Sequence, residues 1–445
     1  MAKLLLRPGR TWAALLTALG MLSLISLMPM LLAGCNNGGG GAVAGARPKV
    51  SQQTTITALV WAPDWPKEMH DIAAAFHRAH PEILVDVQFM IGNSVEENLK
   101  PKIAANHLPD LISVNPNAYA ANLATQGILV DVGHSAAWDN MLDLLKPDWS
   151  SPGNVHFGVA GGVAATLIYY NKEMFRQAGI THLPDNFEEF LALCEKLKKA
   201  GFTPLVLDGG FPNMLGNGPF SHGFANNIAA MQPDWRQALL SGKLKLDTPE
   251  TADIFSKIKL LATRGYVQRG FMNTSYDEGI NLFTEGRAAM AFEGTWAAGR
   301  LMNSKTVTAG VFIPPWNAAG KTVVPVIGSE TGFAVCNTKN QAAAVLFLDF
   351  LMGEGFAIQQ NARQNIPPMK RVPGKVVNNA QITAYIGQIS AYPRVVPPYY
   401  AFLPASTIEL LHVLLQDVLS SNITPRQAAR RLDLSVREEA GNTGH

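Results

Sequence analysis

The chain has 445 residues, with 36 Lys and Arg against 34 Asp and Glu, so it is close to neutral. No basic run points to nucleic acid. The length exceeds one ordinary core and predicts two domains, and 39 Gly with 28 Pro suit a loop-rich globular protein of mixed class.

Lys3, Arg7 and Arg10 form a basic start, and no residue from Thr11 to Leu32 is charged. Small residues then lead into Cys35, in Leu31-Leu32-Ala33-Gly34-Cys35, and a glycine-rich stretch follows. Residues 1–34 therefore read as an export signal that is no part of the fold. The Leu-Ala-Gly-Cys ending resembles the lipobox of bacterial lipoproteins. That resemblance implies cleavage before Cys35 and lipid attachment to it. The uncharged stretch is also long enough to act as a plain membrane anchor. Either way, the remainder is expected to work outside the cytoplasm, close to a membrane. Residues 35–53 lack apolar periodicity and read as a flexible tether. A disulfide is open to Cys194 and Cys336 in an oxidising compartment, but both lie in apolar segments, and two buried thiols are the preferred expectation.

Ile56 to Trp61 predicts a buried strand. Pro66 opens a helix whose Met69, Ile72, Ala73 and Phe76 follow the i, i+3, i+4, i+7 pattern of one buried face. Strands follow at Ile83–Met90 and Asp110–Val114, separated by a helix that Ser94-Val95-Glu96-Glu97 opens as a capping box. Strand, helix, strand, helix, strand at this spacing predicts parallel βαβ units. The second half repeats the pattern. Strands are expected at Thr166–Tyr170, Thr203–Leu207 and Ala288–Phe292. Helices are capped at Asn186, Thr248, Ser275 and Thr424, the last covering 425–439.

Four stretches together resemble one family, the extracellular solute-binding proteins of bacterial ABC importers, in the carbohydrate-binding branch that includes maltose-binding protein. They are Glu96 to Asp110 (EENLKPKIAANHLPD) with Gln126 to Leu129, Leu167 to Gly179 (LIYYNKEMFRQAG) with Pro184 to Phe190, Phe283 to Trp296 (FTEGRAAMAFEGTW), and Gly332 to Pro367. The resemblance implies an α/β protein of two lobes, each a mostly parallel sheet flanked by helices, with a ligand cleft between them. Lobe 1 is then expected over 54–162 plus 312–370, and lobe 2 over 163–311 plus 371–445. It also implies a monomeric receptor with no cofactor and no enzymatic activity. Such a receptor takes up a small-molecule carbohydrate, passes it to an ABC permease, and is held to the membrane through Cys35.

A sugar has apolar C–H faces and a rim of hydroxyls, so its site needs aromatic platforms with carboxylates or amides around them. Open α/β sheets place such groups beyond the C-terminal ends of their strands. Asp64 and Trp65 follow the first strand and are expected to touch ligand, with Trp61 in the core; alternatively Trp65 only staples the Pro66 helix. Asn115 and Asn117 either reach ligand or make a simple turn. Glu96 is equally open, whereas Glu97 serves the capping box and Asp110 the Pro-Asp turn. By the resemblance, Phe211 and Asn213 occupy a ligand segment, and Trp296 matches the family's stacking tryptophan, with Glu293 beside it for hydroxyls. Glu330 is an acid inside an apolar strand and requires a salt bridge or a ligand. Tyr399 supplies a platform or packs. Ala164 stands where maltose-binding protein has a glutamate, so that contact is missing.

Two rival readings follow from the same residues. An anionic solute such as a glycerol phosphate needs cations at the cleft, for which Arg363 and Arg394 are the candidates. A secreted polysaccharide-acting enzyme needs two facing carboxylates, for which Asp64 and Glu330 are the pair. No metal site is expected: His77 and His80 share a helix face without further ligands. Lys321-Thr322 makes no P-loop, because Pro315 stands at its first glycine position.

Overall fold

The computed structural model describes residues 53–91, 95–151, 153–373 and 394–442, with 380, 382, 384 and 392 singly. The expected signal, Cys35, nearly all of the tether and the capping residue Ser94 lie outside the described residues. The named strands are β1 (Thr54–Val60), β2 (Ile83–Phe89), β3 (Leu111–Val114), β4 (Val163–Asn171), β5 (Met290–Gly294), β6 (Ala309–Phe312), β7 (Ile327–Ser329) and β8 (Gly332–Val335).

The first sheet has the order β2-β1-β3-β8. β1 pairs in parallel with β2 from Thr54 opposite Ile83 to Val60 opposite Phe89, and β3 joins its other edge in the same direction. Ile56, Ala58 and Val60 are fully buried. The helix Pro66–Ala79 packs on this sheet through Met69, Ile72, Ala73 and Phe76, the four residues that the periodicity predicts. Phe76 meets Phe347 and Phe350 edge-on at 5.1 and 5.4 Å. Burying such a side chain stabilises the fold by roughly 1.5–3 kcal/mol. β8 closes the sheet antiparallel to β3.

In the second sheet β4 runs against both β5 and β6, so these two share a direction. Residues 205 and 206 add parallel bridges to Val267 and Ala291. The ladders between its named strands are thus all antiparallel to β4, and parallel pairing is confined to these bridges. Helices with the expected caps flank the sheet. Asn186 accepts from Glu189 N at 3.0 Å and donates back to its carboxylate at 2.8 Å. Thr424 accepts from Gln427 N at 3.2 Å, while its own N–H donates to Gln427 Oε1 at 2.8 Å. Each reciprocal pair satisfies amides that a helix start leaves open.

Two segments serve both sheets. The chain from Val159 pairs with Phe333 of β8, then enters β4. The return segment pairs β7 with β4 and then β8 with β3. A third contact joins Val163 to Ile366. The return to the first sheet therefore comes at β7 and β8, later than the expected boundary at 312. The reason is packing: Trp316 is fully buried against Phe187, Phe190 and Phe292 of the second sheet's core. Residues 212–229, which carry no periodicity, form consecutive helical turns, two of them wide π turns at Gly216–Phe220 and Ala225–Ala229. Pro219 sits inside the first, where an ordinary helical ladder loses a donor.

Cys194 and Cys336 are free thiols, buried in the cores of different sheets. Burial pushes the Cys336 thiol up to about 12, so neither provides the thiolate that reacts. A Cys35→Ser variant is expected to show no thiol reactive towards a disulfide reagent while folded and both thiols once denaturant is added. Rapid modification of the native protein would contradict this packing.

Candidate functional site

One cavity of about 980 Å³ lies between residues of the two sheets. Its first wall begins where β1 ends. Trp61 N–H donates to Ser113 Oγ at 2.9 Å, which fixes the turn. The two tryptophans differ in burial, and Trp61 is not the enclosed one that the sequence suggests. Trp65 is only 4% exposed, edge-on to Phe333, with the Arg363 guanidinium 5.2 Å over its ring. Trp61 is half-buried, and both line the cavity. Trp65 is the N-cap of the helix that Pro66 opens.

Asp64 also lines the cavity but already has partners on the opposite wall. Arg300 donates to it at 2.9 Å and the Tyr276 hydroxyl at 3.1 Å. Asn117 is the N-cap of the helix Ala118–Thr125, accepting from Ala120 N at 3.1 Å, and donates to Glu96 at 2.9 Å. Asn115 accepts from the Thr331 hydroxyl at 2.6 Å.

On the second wall Trp296 is half-buried just after β5. A Cβ on Gly294 would lie 2.2 Å from its ring, so glycine there is what lets the indole fold back over the strand end. Gly216 plays the same part for Tyr399, whose ring would stand 2.7 Å from a Cβ at that position. The Tyr399 hydroxyl and His412 Nε2 are 2.7 Å apart, and burial holds His412 down at about 4, so this imidazole is neutral at pH 7. Phe211 packs against Tyr276 at 5.4 Å, and Asn213 lines the same wall.

Glu330 has the partner its position requires. Arg363 and Asn365 both donate to its Oε2, the latter at 2.9 Å. Burial still raises the Glu330 carboxyl, with Arg363 and Asn365 opposing. Glu293 is not among the cavity's lining residues; it is 1% exposed within β5. Burial, then the charge of Asp208, hold its carboxyl well above the ordinary value. The remaining ten candidates come together around one space. Tyr276, Arg300 and His412 escaped the sequence reading, and no local motif marks them. Among the described residues no group of three or more His, Cys, Asp or Glu is placed to hold a metal ion.

The profile of the bacterial extracellular solute-binding protein family matches residues 62–357. The multiple sugar-binding protein of Streptococcus mutans is 22% identical over 340 residues, spanning 75% of this chain and 78% of that one. A probable sugar-binding periplasmic protein of Rhizobium meliloti is 26% identical over 206 residues, 42% of this chain and 44% of its own. Among solved structures, a chitin oligosaccharide binding protein superposes with a TM-score of 0.76 at 22% identity, covering 88% of this chain and all of that one (100%). RafE in complex with raffinose superposes with a TM-score of 0.74 at 20% identity, covering 87% and 99%.

The raised Glu293 carboxyl has a consequence for stability. Its contribution is present in full below the ordinary value of 4.5 and is lost as pH rises through the higher folded-state value. Glu293→Gln keeps the shape and removes that titration. The wild-type melting temperature is therefore expected to fall relative to the variant's from about pH 5 to about pH 8. A constant difference across that range, measured by calorimetry, would count against a buried, protonated Glu293.

Proposed function

The chain belongs to the bacterial extracellular solute-binding proteins, and from that premise we propose that it captures a sugar in the cavity between its sheets and delivers it to an ABC permease. The observation that carries this reading is the convergence of aromatic rings and polar side chains from both walls. Trp61 and Trp65 come from one, and Phe211, Tyr276, Trp296 and Tyr399 from the other. Flat rings cover the apolar faces of a pyranose, and amides and carboxylates replace the water lost by its hydroxyls. The volume suits a mono- or oligosaccharide. The names of the relatives from Streptococcus and Rhizobium agree with this class.

In this reading the segments that serve both sheets act as the hinge, and closure removes water from the ligand. Residues 54–162 with about 330–370 then move as lobe 1, and the rest as lobe 2. The protein acts as a monomer, tethered through lipidated Cys35 beyond the cytoplasmic membrane. It uses no cofactor and performs no covalent chemistry. Its carboxylates support binding over catalysis, since Asp64 is held by Arg300 and Tyr276, and Glu330 by Arg363. An anionic solute is disfavoured because Arg363 serves Glu330 and Arg394 donates to the carbonyls of Ala229 and Ala230 at 2.8 and 3.0 Å.

A ligand that binds only the folded protein raises its melting temperature. One class of mono- or oligosaccharide is expected to do so, and Trp296→Ala to weaken its binding by at least about tenfold in calorimetric titration. Shifts with glycerol phosphate or ferric ion alone would overturn the sugar assignment.

A further inference from the structure

Asn217 is 9% exposed and lines the cavity. Its Oδ1 is buried and has no hydrogen-bond partner among the described residues. Among the described residues lining the cavity, only Glu330 shares this condition, through Oε1, and its other carboxylate oxygen is held by Arg363 and Asn365. Buried polar groups are nearly always paired, because an unpaired one has given up its water without a replacement. An unpaired amide in a cavity wall therefore points to a partner that arrives through the cavity.

The turn that carries Asn217 is closely held. Residues 216–220 form a π turn, which holds one residue more than an α turn, and Pro219 sits inside it. A Cβ on Gly216 would lie 2.7 Å from the Tyr399 ring, and one on Gly218 2.9 Å from the Phe292 ring. The backbone on both sides of Asn217 is thus seated against an aromatic face or edge. Ser221 Oγ donates to the Gly216 carbonyl at 2.7 Å and accepts from Tyr399 N at 3.0 Å, which ties the turn to the segment carrying Tyr399. The place of the Asn217 amide is fixed by these contacts, while its last torsion stays soft. One end of the amide accepts and the other donates, which suits a hydroxyl group, itself both donor and acceptor. We propose that Asn217 is a specificity-determining residue of the sugar site, its carboxamide bonding one ring hydroxyl of the bound glycan. This rests on the sugar-receptor reading and adds to it a residue that no aromatic or charge pattern marks. A sugar without a hydroxyl at that position leaves the amide unpaired and is selected against.

The test uses Asn217→Leu, which keeps the size of the side chain and removes the amide. Two readouts are expected to move in opposite directions. The melting temperature of the sugar-free protein rises by about 1–3 °C, because an apolar group replaces an unpaired buried amide. Binding is followed by calorimetric titration against a panel of mono- and oligosaccharides, among them glucose, maltotriose, raffinose and the N-acetylglucosamine trimer. Whichever of these the wild type takes is expected to bind the variant at least about tenfold more weakly. Asn217→Ala, which relieves any crowding by leucine, is expected to weaken binding to a similar extent. A lower melting temperature for sugar-free Asn217→Leu would reveal an amide paired within the protein and overturn the proposal, and so would unchanged affinity in both variants. If Trp296→Ala weakens binding and neither Asn217 variant does, the receptor reading stands without Asn217. Binding of no sugar across the panel removes the receptor reading itself, and this inference with it.

Discussion

The buried pair of Arg363 and Glu330 holds the molecule where its chain passes between sheets. Their side chains are 7% and 3% exposed. Arg363 also donates to the Gly161 carbonyl at 3.2 Å and to Gln359 at 3.1 Å, and its guanidinium covers Trp65. One cation thus ties the chain entering β4, the strand junction at residue 330, the helix Phe356–Arg363 and the loop after β1. Desolvating both charges is costly, so the pair adds little net stability. Losing one partner, however, would strand the other at a cost of about 3–5 kcal/mol. Gly162 belongs to the same knot, because a Cβ there would lie 2.3 Å from Glu330.

Local pattern revealed the elements and their faces well. Four apolar residues at helical spacing after Pro66 are the four that bury, and the caps at Asn186, Ser275 and Thr424 bond as their sequences imply. These features depend on residues within one or two turns of each other. The cavity depends on pairs far apart in the chain. Asp64 meets Tyr276 and Arg300 across 212 and 236 residues, and no periodicity encodes such a meeting. Strand ends and residue chemistry suggested some positions, such as Asp64 and Glu330, and resemblance to a family suggested others, such as Phe211 and Trp296; ten candidates line one cavity, while Glu293 lies inside a strand. Trp61 and Trp65 show the limit at close range. Both are large, apolar and adjacent to one turn, and Trp65 is covered by Phe333 and Arg363, residues far away in the chain. The late return of the chain to the first sheet was hidden for a similar reason. Nothing around residue 316 reveals that its indole fills a gap between Phe187, Phe190 and Phe292.

In the proposed receptor the walls of the cavity divide the work of recognition. Aromatic rings supply contact area that costs little conformational freedom. Side chains already engaged with protein partners, such as Asn115 with Thr331 and Asn117 with Glu96, enter with their orientation set. Two glycines at 216 and 294 matter by what they lack, since each leaves room for a ring to lie flat on backbone. The cavity's shape is therefore written partly in side chains and partly in their absence.

The two thiols lead to a different kind of constraint. Cys194 and Cys336 are enclosed in separate cores, so the native fold keeps them apart for as long as it persists. In an oxidising compartment an unfinished chain has no such separation, and a bond between them would lock in a topology that the native packing forbids. Folding then becomes a race between burial of each sulfur and its oxidation. The yield of usable protein depends on how quickly each sheet covers its cysteine, and a cross-linked species would be a record of chains that lost.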